Sequence, residues 1–156
     1  MPPLSPAVGD YTSRGPFAVG PKEPLGNARH LMDKYGLRDL PVRAEGKLVG
    51  VLSERIVRVL WSLRSARPET LSVEDAMSTD AYAVEVETPL DEVLRAMVAR
   101  KLDVAIVQEQ GRVIGVFAAS DAMRALVDTL EGRPGPGDKR MGTAPSRPAR
   151  GARAPR

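Results

Sequence analysis

Few residues of this chain carry chemistry of their own. It has no cysteine, which excludes disulfides, thiolate metal sites and thiol nucleophiles. His30 is the one histidine, placed in a helical pattern without a second His or a Cys to share a metal, so it reads as a surface helix residue. Asp91 and Glu92 are adjacent carboxylates, but neighbours along a helix do not face each other, and they read as first-turn charges. The glycines between Gly132 and Lys139 lie near a lysine without P-loop spacing or a following helix. No nucleophile–base set remains, and one histidine leaves little for general acid–base work. The expectation is therefore a protein that is not an enzyme, holds no metal and requires no cofactor. Three polar residues stand out by position. Ser53, Arg55 and Asp121 each follow an apolar run where a helical pattern begins. Ser53 suits an N-cap, Asp121 a helix-start acid, and Arg55 a solvated or carboxylate-paired cation.

The elements around these residues come from an internal repeat. Shifting the chain by 65 positions aligns two blocks without a gap. Val8 falls on Val73, Ser13 on Ser78, Pro24-Leu25 on Pro89-Leu90, Met32 on Met97, Val42 on Val107, and Gly50-Val51 on Gly115-Val116. Matches at glycines and apolar positions are what a shared backbone demands. Each block reads as strand, helix, strand, turn, strand, helix. In the second block Tyr82 to Val86 is a β-branched and aromatic run, followed by Thr88 as N-cap with Pro89 at the first helical position. Leu90, Val93, Leu94, Met97 and Val98 then recur on one helical face. Strands at Val104–Val107 and Val113–Phe117 flank the turn Glu109-Gln110-Gly111, and a helix runs from Ala118 to Leu130. The first block follows with helix Leu25–Tyr35, hairpin Leu40–Leu52 around Glu45-Gly46, and helix Glu54–Leu63. A unit of about 60 residues is marginal alone, so two copies are expected to pack on each other. The predicted fold is α+β: two tandem repeats, residues 1–65 and 66–131, forming a pseudo-two-fold pair in which each repeat is a small sheet with two helices.

Between Val8 and Leu130 the sequence resembles a CBS domain pair, or Bateman module. The resemblance rests on Val73-Glu74-Asp75-Ala76-Met77-Ser78, Thr88-Pro89-Leu90, Leu37-Arg38-Asp39-Leu40-Pro41-Val42, and Gly46-Lys47-Leu48-Val49-Gly50-Val51-Leu52-Ser53. It implies binding of an adenosyl compound (AMP, ADP, ATP, S-adenosylmethionine or NAD) in clefts between the repeats. The family's ligand signature is a glycine followed at the third position by Ser or Thr and at the sixth by Asp. Here Gly50 is followed by Ser53 but by Ile56 in place of the acid, and Gly115 by Asp121 but by Ala118 in place of the hydroxyl. Carried over, Asp121 meets the ribose, Ala83, Val84, Ala105 and Ile106 supply backbone and apolar contacts to the adenine, and Ser53 and Arg55 contact phosphate. The resemblance also implies a homodimer associated through helices, signalling to a separate effector protein.

Residues 132–156 form a different segment, rich in Gly, Pro, Arg and Ala, with Met141 its one large apolar residue; disorder is expected. It carries seven basic residues against Asp138, a net +6, which leaves −3 for residues 1–131 of the chain's +3. Nucleic-acid binding by the body is not supported by charge, and the basic segment is the one place for it. Charges interrupt every apolar run and no leader pattern opens the chain, so a cytoplasmic protein without membrane association is expected. Two rivals to a ligand sensor stay open: a ligand-free dimeric scaffold, and a nucleic-acid binder acting through the basic segment.

Overall fold

The computed structural model describes residues 5–15 and 17–136. The order is β1 (Ser13–Arg14), α1 (Leu25–Tyr35), β2 (Asp39–Ala44), β3 (Lys47–Ser53), α2 (Glu54–Ser62), α3 (Val73–Ala76), β4 (Ala83–Glu85), α4 (Leu90–Arg100), β5 (Val104–Glu109), β6 (Arg112–Ala118) and α5 (Ala119–Leu130), with a 3₁₀ turn at Val8–Tyr11 ahead of β1. The fold is the mixed α+β pair of repeats that the pattern predicts. Both hairpins turn at the same place, Glu45-Gly46 and Gln110-Gly111, where all four residues have positive φ as a tight two-residue turn requires. Beyond Pro136 the expected disordered segment lies outside the described residues.

The two lead-in segments change places. Residues 8–14 pack on the second repeat, and residues 73–78 pack on the first. Ser13 and Arg14 pair with Val116 and Gly115 to complete a sheet of order β1-β6-β5-β4. Ser78 makes the equivalent bridge to Val51 beside β3. The hydrogen bonds repeat at the same offset. Val8 N–H donates to Thr88 O and Gly9 N–H to Val86 O, while Val73 N–H donates to Glu23 O and Glu74 N–H to Pro21 O. Each hydrophobic core includes the visitor: Val8 and Tyr11 join Leu90, Val93, Met97, Phe117 and their neighbours, and Val73 joins Leu25, Met32, Leu40, Leu52 and theirs.

This exchange corrects one helix start. Thr88 is not the N-cap of α4; Pro89 holds that position without a capping side chain, and the helix begins at Leu90. The orphan amides of the first turn are satisfied from the N-terminal segment instead, Leu90 N–H by Pro6 O and Asp91 N–H by Ser5 Oγ. In the first repeat Leu25 N–H is satisfied by Leu71 O in the same way.

The exchange also gives the repeated glycines their reason. A Cβ on Gly50 would stand 2.7 Å from Ser78 O, and one on Gly115 would stand closer still to Ser13 O. Both glycines admit the backbone of the exchanged segment.

Candidate functional site

Where the repeats meet, a cavity of about 630 Å³ opens between the end of α1, the start of β2, the β3–α2 junction and the matching junction of the second repeat. Arg38 and Asp103 both line it, as do Glu54 and Ala119. Each is a pair of repeat-equivalent positions, so the cavity sits on the approximate two-fold axis. The backbone there is tied identically in both halves: Glu54 N–H donates to Arg38 O, and Ala119 N–H to Asp103 O.

The charges are not symmetric. The first repeat supplies Asp33, Arg38, Asp39, Glu54, Arg55 and Arg58, the second Asp103 alone. Arg58 pairs with Glu54 one turn earlier on α2, and Arg55 Nη2 reaches to 3.7 Å from Asp103 Oδ2, linking the two repeats. Asp39 is half-buried, and burial pushes its carboxyl above the ordinary carboxylate range. Asp103 raises it further, and Arg55 and Arg38 oppose the shift.

Ser53 and Arg55 both line this cavity. Ser53 is also the N-cap of α2, its Oγ accepting from Arg55 N–H at 3.2 Å. Ala83 lies elsewhere, beside a second cavity of about 380 Å³ between the two hairpins, lined also by Lys47, Val49, Thr79 and Gln108. Ala105 and Ile106 are fully buried on β5, with Ile106 opposite Ala83 in the β4–β5 register. Val84 is half-buried against the second core.

Asp121 is the one buried charged residue among those described, at 5% exposure. Its Oδ2 accepts from Ala118 N–H at 2.9 Å, closing the start of α5. Its Oδ1 accepts from Ser13 Oγ at 3.1 Å and from Arg124 Nη2 at 2.7 Å. Arg124 also reaches Tyr11 O at 3.5 Å. Asp121 is therefore joined to the exchanged N-terminal segment, not to β4, and a ribose at this carboxylate would take the place of Ser13 or Arg124.

Sequence reasoning missed Arg38, Asp39, Arg58 and Asp103 as cavity residues, and Ser13 and Arg124 as partners of Asp121. A signal existed for the first group. Arg38 and Asp103 align at the repeat offset with opposite charge, as facing positions on a two-fold axis would. For Ser13 no signal existed without the segment exchange. Among the described residues no group of three or more His, Asp or Glu is placed to hold a metal ion, and no helix is long and apolar enough to cross a membrane.

Comparison with known proteins agrees with the two-repeat fold. A family model described as CBS domain matches residues 8–60 and again 73–128. An inosine-5'-monophosphate dehydrogenase of Korarchaeum cryptofilum is 31% identical over 86% of this chain, which spans only 27% of that enzyme's length. The CBS domain pair of protein MJ0100, solved in complex with 5'-methylthioadenosine and S-adenosyl-L-methionine, superposes with a TM-score of 0.70 over 80% of this chain and 98% of its own, at 20% identity. CBSX2, solved in complex with AMP, superposes with a TM-score of 0.66 over 80% of this chain and 98% of its own, at 24% identity.

Proposed function

Because this chain belongs to the CBS domain family, with two copies in tandem, we propose that it is a non-catalytic regulatory module that binds an adenosyl ligand on its pseudo-two-fold axis and signals occupancy to a partner protein. One observation carries the reading: the axial cavity is lined by both repeats and is bridged by the Arg55–Asp103 contact. A molecule there touches both halves, so its binding energy depends on their relative orientation, which is what a sensor requires. Ser53 and Arg55 take the polar end of the ligand beside the α2 N-terminus. That two structurally similar CBS proteins hold adenosyl compounds supports this ligand class.

The partner-facing surface is apolar. Ile56, Val59 and Leu63 are exposed around α2, and Met123, Leu126, Val127 and Leu130 along α5. These faces are proposed to form a homodimer in the cytoplasm, which sedimentation would register as a species of twice the chain mass.

The test of the ligand is a thermal-shift panel of AMP, ADP, ATP, S-adenosylmethionine and NAD. A compound at 100 times its dissociation constant stabilises the fold by about 2.7 kcal/mol. The expected result is stabilisation by at least one compound, reduced in Arg55→Ala. No stabilisation by any of them, in protein free of carried-over nucleotide, would favour the ligand-free scaffold.

A further inference from the structure

The axial cavity carries four carboxylates, Asp33, Asp39, Glu54 and Asp103, against three guanidinium groups, a formal charge of −1. Two of the three guanidiniums are already engaged, Arg58 by Glu54 and Arg55 by Asp103. Asp39 is in the opposite condition. Its carboxylate is half-buried and takes part in no ion pair or side-chain hydrogen bond among the described residues. Its backbone is fixed, since Asp39 lies directly opposite Ser53 in the β2–β3 register. The one hydroxyl lining the cavity, that of Ser53, and this unpartnered carboxylate thus belong to neighbouring residues at the strand-to-helix junction of the first repeat, where the family's acid is replaced by Ile56.

We propose that the axial cavity selects adenosyl compounds carrying a positive charge, a sulfonium or ammonium group, over those carrying a phosphate chain, and that Asp39 sets this preference; the proposal rests on the adenosyl reading above. A cation beside Asp39 supplies the partner the protein does not, at a carboxylate that is itself half-buried. A phosphate chain in the same place sets two to four further negative charges against Asp39 and Asp103. Burial, and after it the neighbouring charge of Asp103, disfavour the bare Asp39 carboxylate, and a cationic ligand group beside it offsets both. Arg38, for which no ion pair is seen among the described residues, is left to take a ligand carboxylate. An amino-acid-like tail with one carboxylate and one or two cationic centres therefore matches the cavity group for group.

The test is titration calorimetry of the full chain with S-adenosylmethionine, S-adenosylhomocysteine, AMP and ATP, repeated with Asp39→Asn and with Asp103→Asn as a second variant. The expected result is S-adenosylmethionine binding tightest, S-adenosylhomocysteine (which keeps the ammonium but lacks the sulfonium) next, and AMP and ATP weaker by on the order of tenfold or more. Asp39→Asn should weaken S-adenosylmethionine, tighten AMP and narrow the gap between them, with Asp103→Asn acting in the same sense to a smaller degree. AMP or ATP binding tighter than S-adenosylmethionine, or Asp39→Asn shifting all four compounds alike, would overturn the preference and leave the adenosyl sensor standing. Binding of none of the four would overturn both.

Discussion

Ser13, near the start of the chain, donates its hydroxyl to the buried carboxylate of Asp121 in the last helix, across 3.1 Å. The same carboxylate holds Arg124 and the amide of Ala118, so one side chain joins the exchanged N-terminal segment, the end of β6 and the first turns of α5. Asp121→Ala therefore removes three hydrogen bonds at once, all of them made by a carboxylate that is itself buried. The expected cost is about 2 kcal/mol, a fall in melting temperature of roughly 8 °C. Urea unfolding of the two proteins side by side measures it, and a change under 0.5 kcal/mol would show that the network contributes little.

Gly115 faces the Ser13 carbonyl so closely that a Cβ has no room. Gly115→Ala is expected to displace β1 from β6 and to destabilise the protein by about 1–3 kcal/mol. Hydrogen exchange should then show lost protection at residues 8–14 with β2 and β3 unchanged. Gly46→Ala is the contrast. Nothing lies within 4 Å of its would-be Cβ, so its cost comes from the positive φ of 79° alone and stays local to the hairpin turn.

Asp39 makes a pH-dependent contribution whose sign follows from its raised protonation range. In the folded protein the carboxyl holds its proton to higher pH than in the unfolded chain. Between the ordinary carboxylate value and the raised native value the folded state binds more protons, so stability contributed by this residue falls as pH rises through that window. Above the window the cost is fully present. Asp39→Asn should thus stabilise the unliganded protein at pH 7 and lose that advantage toward pH 3. Thermal melts at the two pH values check it; equal gains at both would assign the effect to packing.

Tyr11 is buried at 4% exposure, and its hydroxyl donates to Asp128 Oδ2 at 3.2 Å, while Gly135 lies close against its ring. Burial first, and the Asp128 hydrogen bond second, push its ionisation above the usual phenol range. Tyr11→Phe keeps the ring in the core and removes only the hydrogen bond. The expected loss is about 1 kcal/mol by urea unfolding, against about 3 kcal/mol or more for Tyr11→Ala, which also opens a cavity in the second core.

Much of this architecture is legible in residue order because the repeat doubles every signal. Leu25 with Leu90, Met32 with Met97, and the two Gly-containing turns each support the same strand–helix assignment, and the hairpins and long helices follow from it. The exchange of lead-in segments is not legible. Val8 and Val73 look alike in sequence, and nothing local tells each which core to enter; only the tertiary pairing of Ser13 with Val116 and of Ser78 with Val51 decides that. The Thr88 assignment fails for the same reason, since the amides it would have capped are satisfied by Pro6 and Ser5 from another part of the chain. The role of Asp39 is not legible in residue order, because it depends on burial and on Asp103, distant in sequence and placed across the axis in the same cavity.

A ligand on the two-fold axis would touch both repeats at once. Amide spectra of isotope-labelled protein during titration with S-adenosylmethionine test this most directly. Saturable shifts with one dissociation constant are expected at Arg38, Asp39 and Arg55 of the first repeat and at Asp103 and Ala119 of the second. Shifts confined to one repeat, or no shifts at these residues, would contradict binding on the axis.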